Sequence, residues 1–222
     1  MNWKHYFTTS IGKKLQMAFT GLFLIVFLVV HCYVNAQIFY MDAGVKFNEA
    51  AHFMGTNFLI RVTEIGLFFF LFLHILQGLA LWFKNMARRS ERYSVKAGSA
   101  TSPWYRRSMG LLGTLILMFL IIHLYDFWAP NRYSQTFGAG ELNLFERMRD
   151  EFSEMWVVIV YVLGCFSLAW HLIHGFYSAF QTLGLTTSKY KGIIKCVGIG
   201  FAIIVPIIFA LMPIAFNMGW VK

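Results

Sequence analysis

Charge is scarce in this chain. Asp, Glu, Lys and Arg make up 13% of the 222 residues, 58% are hydrophobic, and mean hydropathy is +0.59. Such a balance excludes an ordinary soluble domain of this size. Cysteine is scarce too: Cys32, Cys165 and Cys196 all lie in apolar stretches, with no paired spacing and no C-x-x-C-H. Neither a disulfide nor a covalently attached c-type haem is expected. A dinucleotide fingerprint and a cysteine cluster are likewise missing, so the chain has no means of its own to hold a flavin or an iron-sulfur centre. The net charge of +9 has no nucleic-acid motif beside it, and no nucleic-acid partner is expected.

What is present are five apolar runs, about residues 15–39, 58–83, 108–128, 155–183 and 193–216. Runs of roughly 20 apolar residues cross a bilayer as helices, because in hydrocarbon every backbone N–H and C=O must be satisfied within the segment. The expected fold is an all-α integral membrane protein, a five-helix multi-pass bundle forming one domain over residues 1–222. The first run is too long for the core of a signal peptide, contains His31, and has no small-residue cleavage site after it, so it reads as a true span.

Lys/Arg excess in short loops marks the cytoplasmic side. Lys4, Lys13 and Lys14 precede the first span, Lys84, Arg88, Arg89, Arg92, Lys96, Arg106 and Arg107 fill the second loop, and Lys189, Lys191 and Lys195 the fourth. The first and third loops hold Asp42, Glu49, Glu141, Glu146, Asp150, Glu151 and Glu154 against fewer cations. The expectation is a cytoplasmic N-terminus, an outer C-terminus and residence in the inner (cytoplasmic) membrane. The basic loops also suit docking of a cytoplasmic partner.

Five of the seven histidines fall inside spans: His31, His74, His123, His171 and His174. Ionisable residues at membrane depth are costly and usually functional. The ordinary reading of one such histidine is an interhelical hydrogen bond, but here the positions repeat. Met17, Gly21 and His31 in the first span share their spacing with Met109, Gly113 and His123 in the third. His74, Gln77 and Gly78 in the second share theirs with His171, His174 and Gly175 in the fourth. A two-helix unit repeated in this way pairs His31 with His123 and His74 with His171.

Depth agrees. His31 lies 17 residues past Lys14 and His123 16 past Arg107, roughly 25 Å from the inner boundary at 1.5 Å per residue. His74 lies 10 residues before Lys84 and His171 17 after Glu154, which places both at an inner level of a core about 30 Å thick. Two imidazole pairs at two depths are what two bis-histidine b-type haems require. Gly78 and Gly175, one turn after their histidines, would let a porphyrin approach the helix. His174 takes the place of Gln77 and suits a propionate, a quinone or, most simply, a hydrogen bond to a neighbouring helix. Two haems stacked across the membrane would make an electron wire.

These residues resemble the di-haem cytochrome b558-type membrane anchor of succinate:quinone oxidoreductases (succinate dehydrogenase and fumarate reductase) over nearly the whole chain. The carriers are Lys14, Met17, Thr20-Gly21 and His31, then His74, then His123, then His171 with Gly175 and Leu183-Gly184. The resemblance implies that the first and third spans hold the outer haem and the second and fourth the inner one. It also implies a flavoprotein and an iron-sulfur subunit on the cytoplasmic face, and a membrane quinone, with menaquinone favoured, as electron partner. Some members carry a glutamate two residues before the fourth ligand that serves a proton route. Here that position is Ala169, and such a route is not expected.

A quinone needs hydrogen-bond partners and an apolar slot beside a haem. The segment from Asn48 to Glu64, with Glu49, His52, Asn57 and Arg61, offers them, the alternative being a solvated loop with an Arg61–Glu64 interfacial pair. By resemblance the choice falls on Glu49, with His52 second. Arg88, Arg89, Arg106 and Arg107 read as topology signals before propionate partners, His5 as a solvated histidine, and Trp104, Tyr105, Trp128 and Trp220 as interfacial belt residues.

Three other readings compete. A quinol-oxidising cytochrome b of a formate dehydrogenase, hydrogenase or nitrate reductase also combines about five helices with four histidines, but the paired repeat argues against it. A transporter would use the histidines as a proton relay, yet broken helices and intramembrane carboxylates are not expected here. A haem-free anchor would leave the four spacings a coincidence.

Overall fold

The computed structural model describes residues 9–87, 108–138 and 140–221. Lys4, His5 and most of the second basic loop, Arg88 to Arg107 with Trp104 and Tyr105, lie outside the described residues. What is described is helical, with no strand among the described residues. Five helical stretches are long and apolar enough to cross a membrane: Ile11–Tyr40, Phe58–Lys84, Met109–Phe137, Met155–Thr182 and Lys191–Asn217.

Helix α1 (Ser10–Asn35) starts on Thr9, whose side chain accepts from the Gly12 N–H at 3.1 Å, and ends in a 3-10 turn, Ala36–Tyr40. A short helix α2 (Val45–Thr56) follows, then α3 (Phe58–Ala87), started by the Asn57 side chain accepting from Leu59 and Ile60. The third stretch is not one α-helix: α4 (Met109–His123) passes through a π turn, Leu124–Trp128, into α5 (Ala129–Phe137). After α6 (Leu144–Glu151), capped by Asn143, come α7 (Met155–Thr182) and α8 (Lys191–Asn217).

Four of the long helices form a ring. Neighbours pack α1 on α3, α3 on α4, α4 on α7 and α7 on α1, while α8 lies outside the ring against α7 and α1. The diagonals, α1 with α4 and α3 with α7, are not among the broadly packed pairs. Small residues let neighbours close up: a Cβ added at Gly164 of α7 would lie 2.6 Å from the Phe119 ring of α4, and one at Gly198 of α8 2.6 Å from the Phe176 ring of α7. Close approach of this kind is how helices associate where lipid removes the hydrophobic drive between them.

One end of the ring is capped by α2, α5 and α6. There the fully buried core sits, with Ile38, Phe47, Phe145, Phe152, Tyr161 and Phe216 among its members. Gly44, at φ +78°, turns the chain into α2, and a Cβ there would lie 2.2 Å from Phe145, so both the backbone angle and the ring demand glycine. Large apolar side chains along the spans point outward, Phe58 81% exposed and Ile65 73%. A surface so apolar over the length of five helices is a lipid-facing one.

Candidate functional site

The ring diagonals carry the histidines. His31 of α1 and His123 of α4 face each other with ring centres 5.8 Å apart, and His74 of α3 and His171 of α7 with centres 6.3 Å apart. Each pair spans the middle of the bundle between helices that are not broadly packed on each other. The two pairs lie at different heights: His74 Nδ1 is 3.1 Å from Thr20 Oγ1, and His31 lies eleven residues beyond Thr20 on the same helix, about 16 Å at 1.5 Å per residue.

Second partners orient two of the rings. The Thr20 hydroxyl donates to the Gln16 carbonyl at 2.8 Å, which leaves its oxygen to accept from His74 Nδ1 and His74 Nε2 as the basic nitrogen. Asn35 donates to the His31 carbonyl at 2.8 Å and lies 3.3 Å from His31 Nδ1. The Nδ1 atoms of His123 and His171 are buried and have no hydrogen-bond partner among the described residues. A plain interhelical hydrogen bond would have satisfied them, since buried polar nitrogens are otherwise costly. Packing holds His123 instead, with Phe119 stacked on it at 5.6 Å and Phe127 and Tyr161 closing round it.

Such pairs suit an octahedral metal that brings its own four equatorial ligands. His31 with His123, and His74 with His171, are the residues that would hold such a group, one imidazole from each of two helices. Among the described residues no group of three or more His, Cys, Asp or Glu is placed to hold a bare ion. The glycines add room: a Cβ at Gly113 would meet nothing within 4 Å, one at Gly175 only its own helix's His171 at 4.0 Å, and one at Gly78 only the Met17 methyl at 3.9 Å. The residues therefore fit two bis-imidazole macrocycles, one per diagonal. His174, one turn beyond His171, is half-buried, while its counterpart Gln77 donates to the Lys13 carbonyl at 2.8 Å.

At the capped end the expected quinone residues separate. Glu49 is exposed, and its side chain makes no hydrogen bond or ion pair among the described residues. His52 meets Glu141 at 2.5 Å beside a polar cavity of about 230 Å³. Glu64 is the carboxylate set in an apolar groove, about 450 Å³, lined by Phe58, Val62, Ile65 and Phe68. It pairs with Arg61, accepts from Arg132 Nη2 on both oxygens at 2.9 Å, and takes the Trp128 indole N–H at 2.8 Å. Two guanidiniums around one carboxylate leave one positive charge. Because α5 extends the third stretch to Phe137, Trp128 and Arg132 turn back onto α3, which an ending at 128 did not foresee.

The absence of intramembrane carboxylates does not hold. Asp126, three residues past His123 in the third membrane-length stretch, is 7% exposed and accepts from the Tyr161 hydroxyl at 2.8 Å. Arg147 Nε donates to the Asp126 backbone carbonyl at 2.9 Å and its guanidinium pairs with Glu151 at 2.6 Å. An aspartate in an otherwise apolar run was the available signal.

Outside the spans, burial raises the Glu151 carboxyl above its ordinary value of 4.5, opposed by Arg147 and reinforced by Asp126 and Asp150. A carboxyl raised on folding contributes stability that is full below its unfolded value and is lost as pH rises through its folded one. In thermal unfolding in detergent, the stability of wild type relative to Glu151→Gln should therefore fall as pH climbs above about 4.5. Comparison with family models, with curated protein sequences and with solved structures finds no match to this chain.

Proposed function

We propose that this chain is the membrane anchor and di-haem cytochrome b of a succinate:quinone oxidoreductase, carrying electrons between a cytoplasmic iron-sulfur subunit and a membrane quinone. The observation that carries the reading is the pairing of four intramembrane imidazoles on the two ring diagonals at two heights. His74 and His171 would hold the inner haem, His31 and His123 the outer one. Bound there, the haems supply one-electron transfer across the membrane. The repeated two-helix unit and the basic loops support a cytoplasmic N-terminus, an outer capped end and residence in the inner membrane. In this reading the flavoprotein and iron-sulfur subunits dock on the basic face.

The quinone belongs at the capped end. Glu49 and His52 remain the choice by resemblance, but the Glu64 groove has the better geometry: apolar walls open to lipid, guanidinium N–H groups for carbonyl oxygens, and a carboxyl group placed to pass protons to a quinone being reduced or take them from a quinol. Succinate-dependent reduction of a menaquinone analogue by the complex, purified through this chain, tests the reading. Glu64→Gln should lower that rate about a hundredfold with the haem spectrum unchanged. An unchanged rate returns the site to Glu49, and a chain that purifies with neither haem nor flavoprotein contradicts the whole proposal.

A proton-relaying carrier is the second reading, favoured by buried Asp126 and the π turn beside it. It predicts no haem.

A further inference from the structure

The α-helix carrying His123 gives way to a π turn at Leu124–Trp128, and Asp126 sits in that turn. π turns often mark functional positions. The Asp126 carboxylate is buried, and a buried carboxylate without a cation is a costly thing to keep for stability alone. Its partner is a neutral phenol: Tyr161 Oη donates to Oδ2 at 2.8 Å. The nearby cation is engaged elsewhere, since Arg147 binds the Asp126 backbone carbonyl and pairs with Glu151. Among the described residues no cation bonds the carboxylate. Tyr161, 5% exposed, sets its ring 5.9 Å from that of His123, with Phe119, Phe127 and Phe152 filling the remaining sides. The negative charge is thus one phenol away from His123, in surroundings where neither water nor salt screens it well.

We infer that Asp126, held by Tyr161, is a positioning residue that lowers the reduction potential of the haem between His31 and His123. Loss of one electron from the ferrous form leaves one net positive charge on the iron–porphyrin unit, and a fixed carboxylate stabilises that form. A lower potential makes this haem the better electron donor to a quinone beside it. This rests on the di-haem reading above, which it deepens by assigning a residue to the tuning of one haem.

The test is a potentiometric titration of the haem absorbance in the whole complex, for wild type, Asp126→Asn and Tyr161→Phe. The wave belonging to this haem is the one lost in His31→Ala. Asp126→Asn keeps the shape and the acceptor for Tyr161 but removes the charge, so that wave moves to higher potential and the other stays. Tyr161→Phe keeps the charge and removes the hydroxyl dipole that partly offsets it, so the same wave moves to lower potential. Opposite signs separate charge from packing, because a purely structural role would loosen the haem in both variants alike. Retention of both haems in Asp126→Asn with no shift, or with equal shifts in both waves, overturns the inference. Should Asp126→Asn fail to assemble, Tyr161→Phe decides: a fall supports the assignment, and no change or a rise overturns it. A wild-type complex without haem strikes the di-haem reading instead.

Discussion

If the proposed di-haem reading holds, His31→Ala and His123→Ala should each purify with one b haem in place of two, and His74→Ala and His171→Ala should each lack the other. The physical reason is the diagonal geometry. Each macrocycle would be held by one imidazole on either iron face, from helices that are not broadly packed on each other. Losing one imidazole opens a coordination position at the centre of the bundle, where no other described histidine but His174 is near. His174 shares a helix face with His171, three residues away, and so sits on the same side of the diagonal. Loss by pairs is the decisive feature. Four variants sorting as two and two, by pyridine haemochrome and by which reduced absorbance band disappears, tie each residue to its partner. If His31→Ala and His74→Ala remove the same haem, the diagonal assignment is wrong.

The second large effect lies at the seam between α4 and α7. A Cβ at position 164 would fall 2.6 Å from the Phe119 ring, and overpacking of a closed seam costs about 1–3 kcal/mol. Phe119 is stacked on His123 and also packs on Tyr161, ring centres 5.1 Å apart, so the displaced ring carries the strain into His123, a proposed haem ligand. Gly164→Val therefore lowers the melting temperature in detergent by several degrees and depletes the His31/His123 haem while sparing the other. Gly66→Ala is the matched control, because a Cβ there meets nothing within 4 Å and alanine is the better helix former by about 1 kcal/mol. Equal loss of both haems in Gly164→Val would show that the seam does not act through His123.

The spans were legible because a bilayer imposes one demand, an apolar run that satisfies its own backbone, and five runs meet it. His31 with His123 and His74 with His171 could be matched because their spacings to neighbouring Met, Gly and polar residues coincide, and the rings of each pair meet edge-on across the diagonals, 5.8 and 6.3 Å between centres. The capped end was less legible. α6 is eight residues rich in charge, too short and too polar to register against the spans. The π turn has no signature of its own, so hydropathy ends the third stretch at 128 and places α5, with Arg132, in a loop. Glu64 shows the consequence: in sequence its visible partner is Arg61, while Trp128 and Arg132 are 64 and 68 residues away. Asp126 lies inside an apolar run, where a loop-by-loop balance of charge does not reach it.

The measurement that bears most directly on the central claim is a count of haem b per chain in the wild-type protein, by dithionite-reduced minus oxidised spectra and pyridine haemochrome after purification in mild detergent. Two b haems per chain is the predicted result. A protein that folds and holds no haem would contradict the account and leave the buried histidines and Asp126 to a carrier.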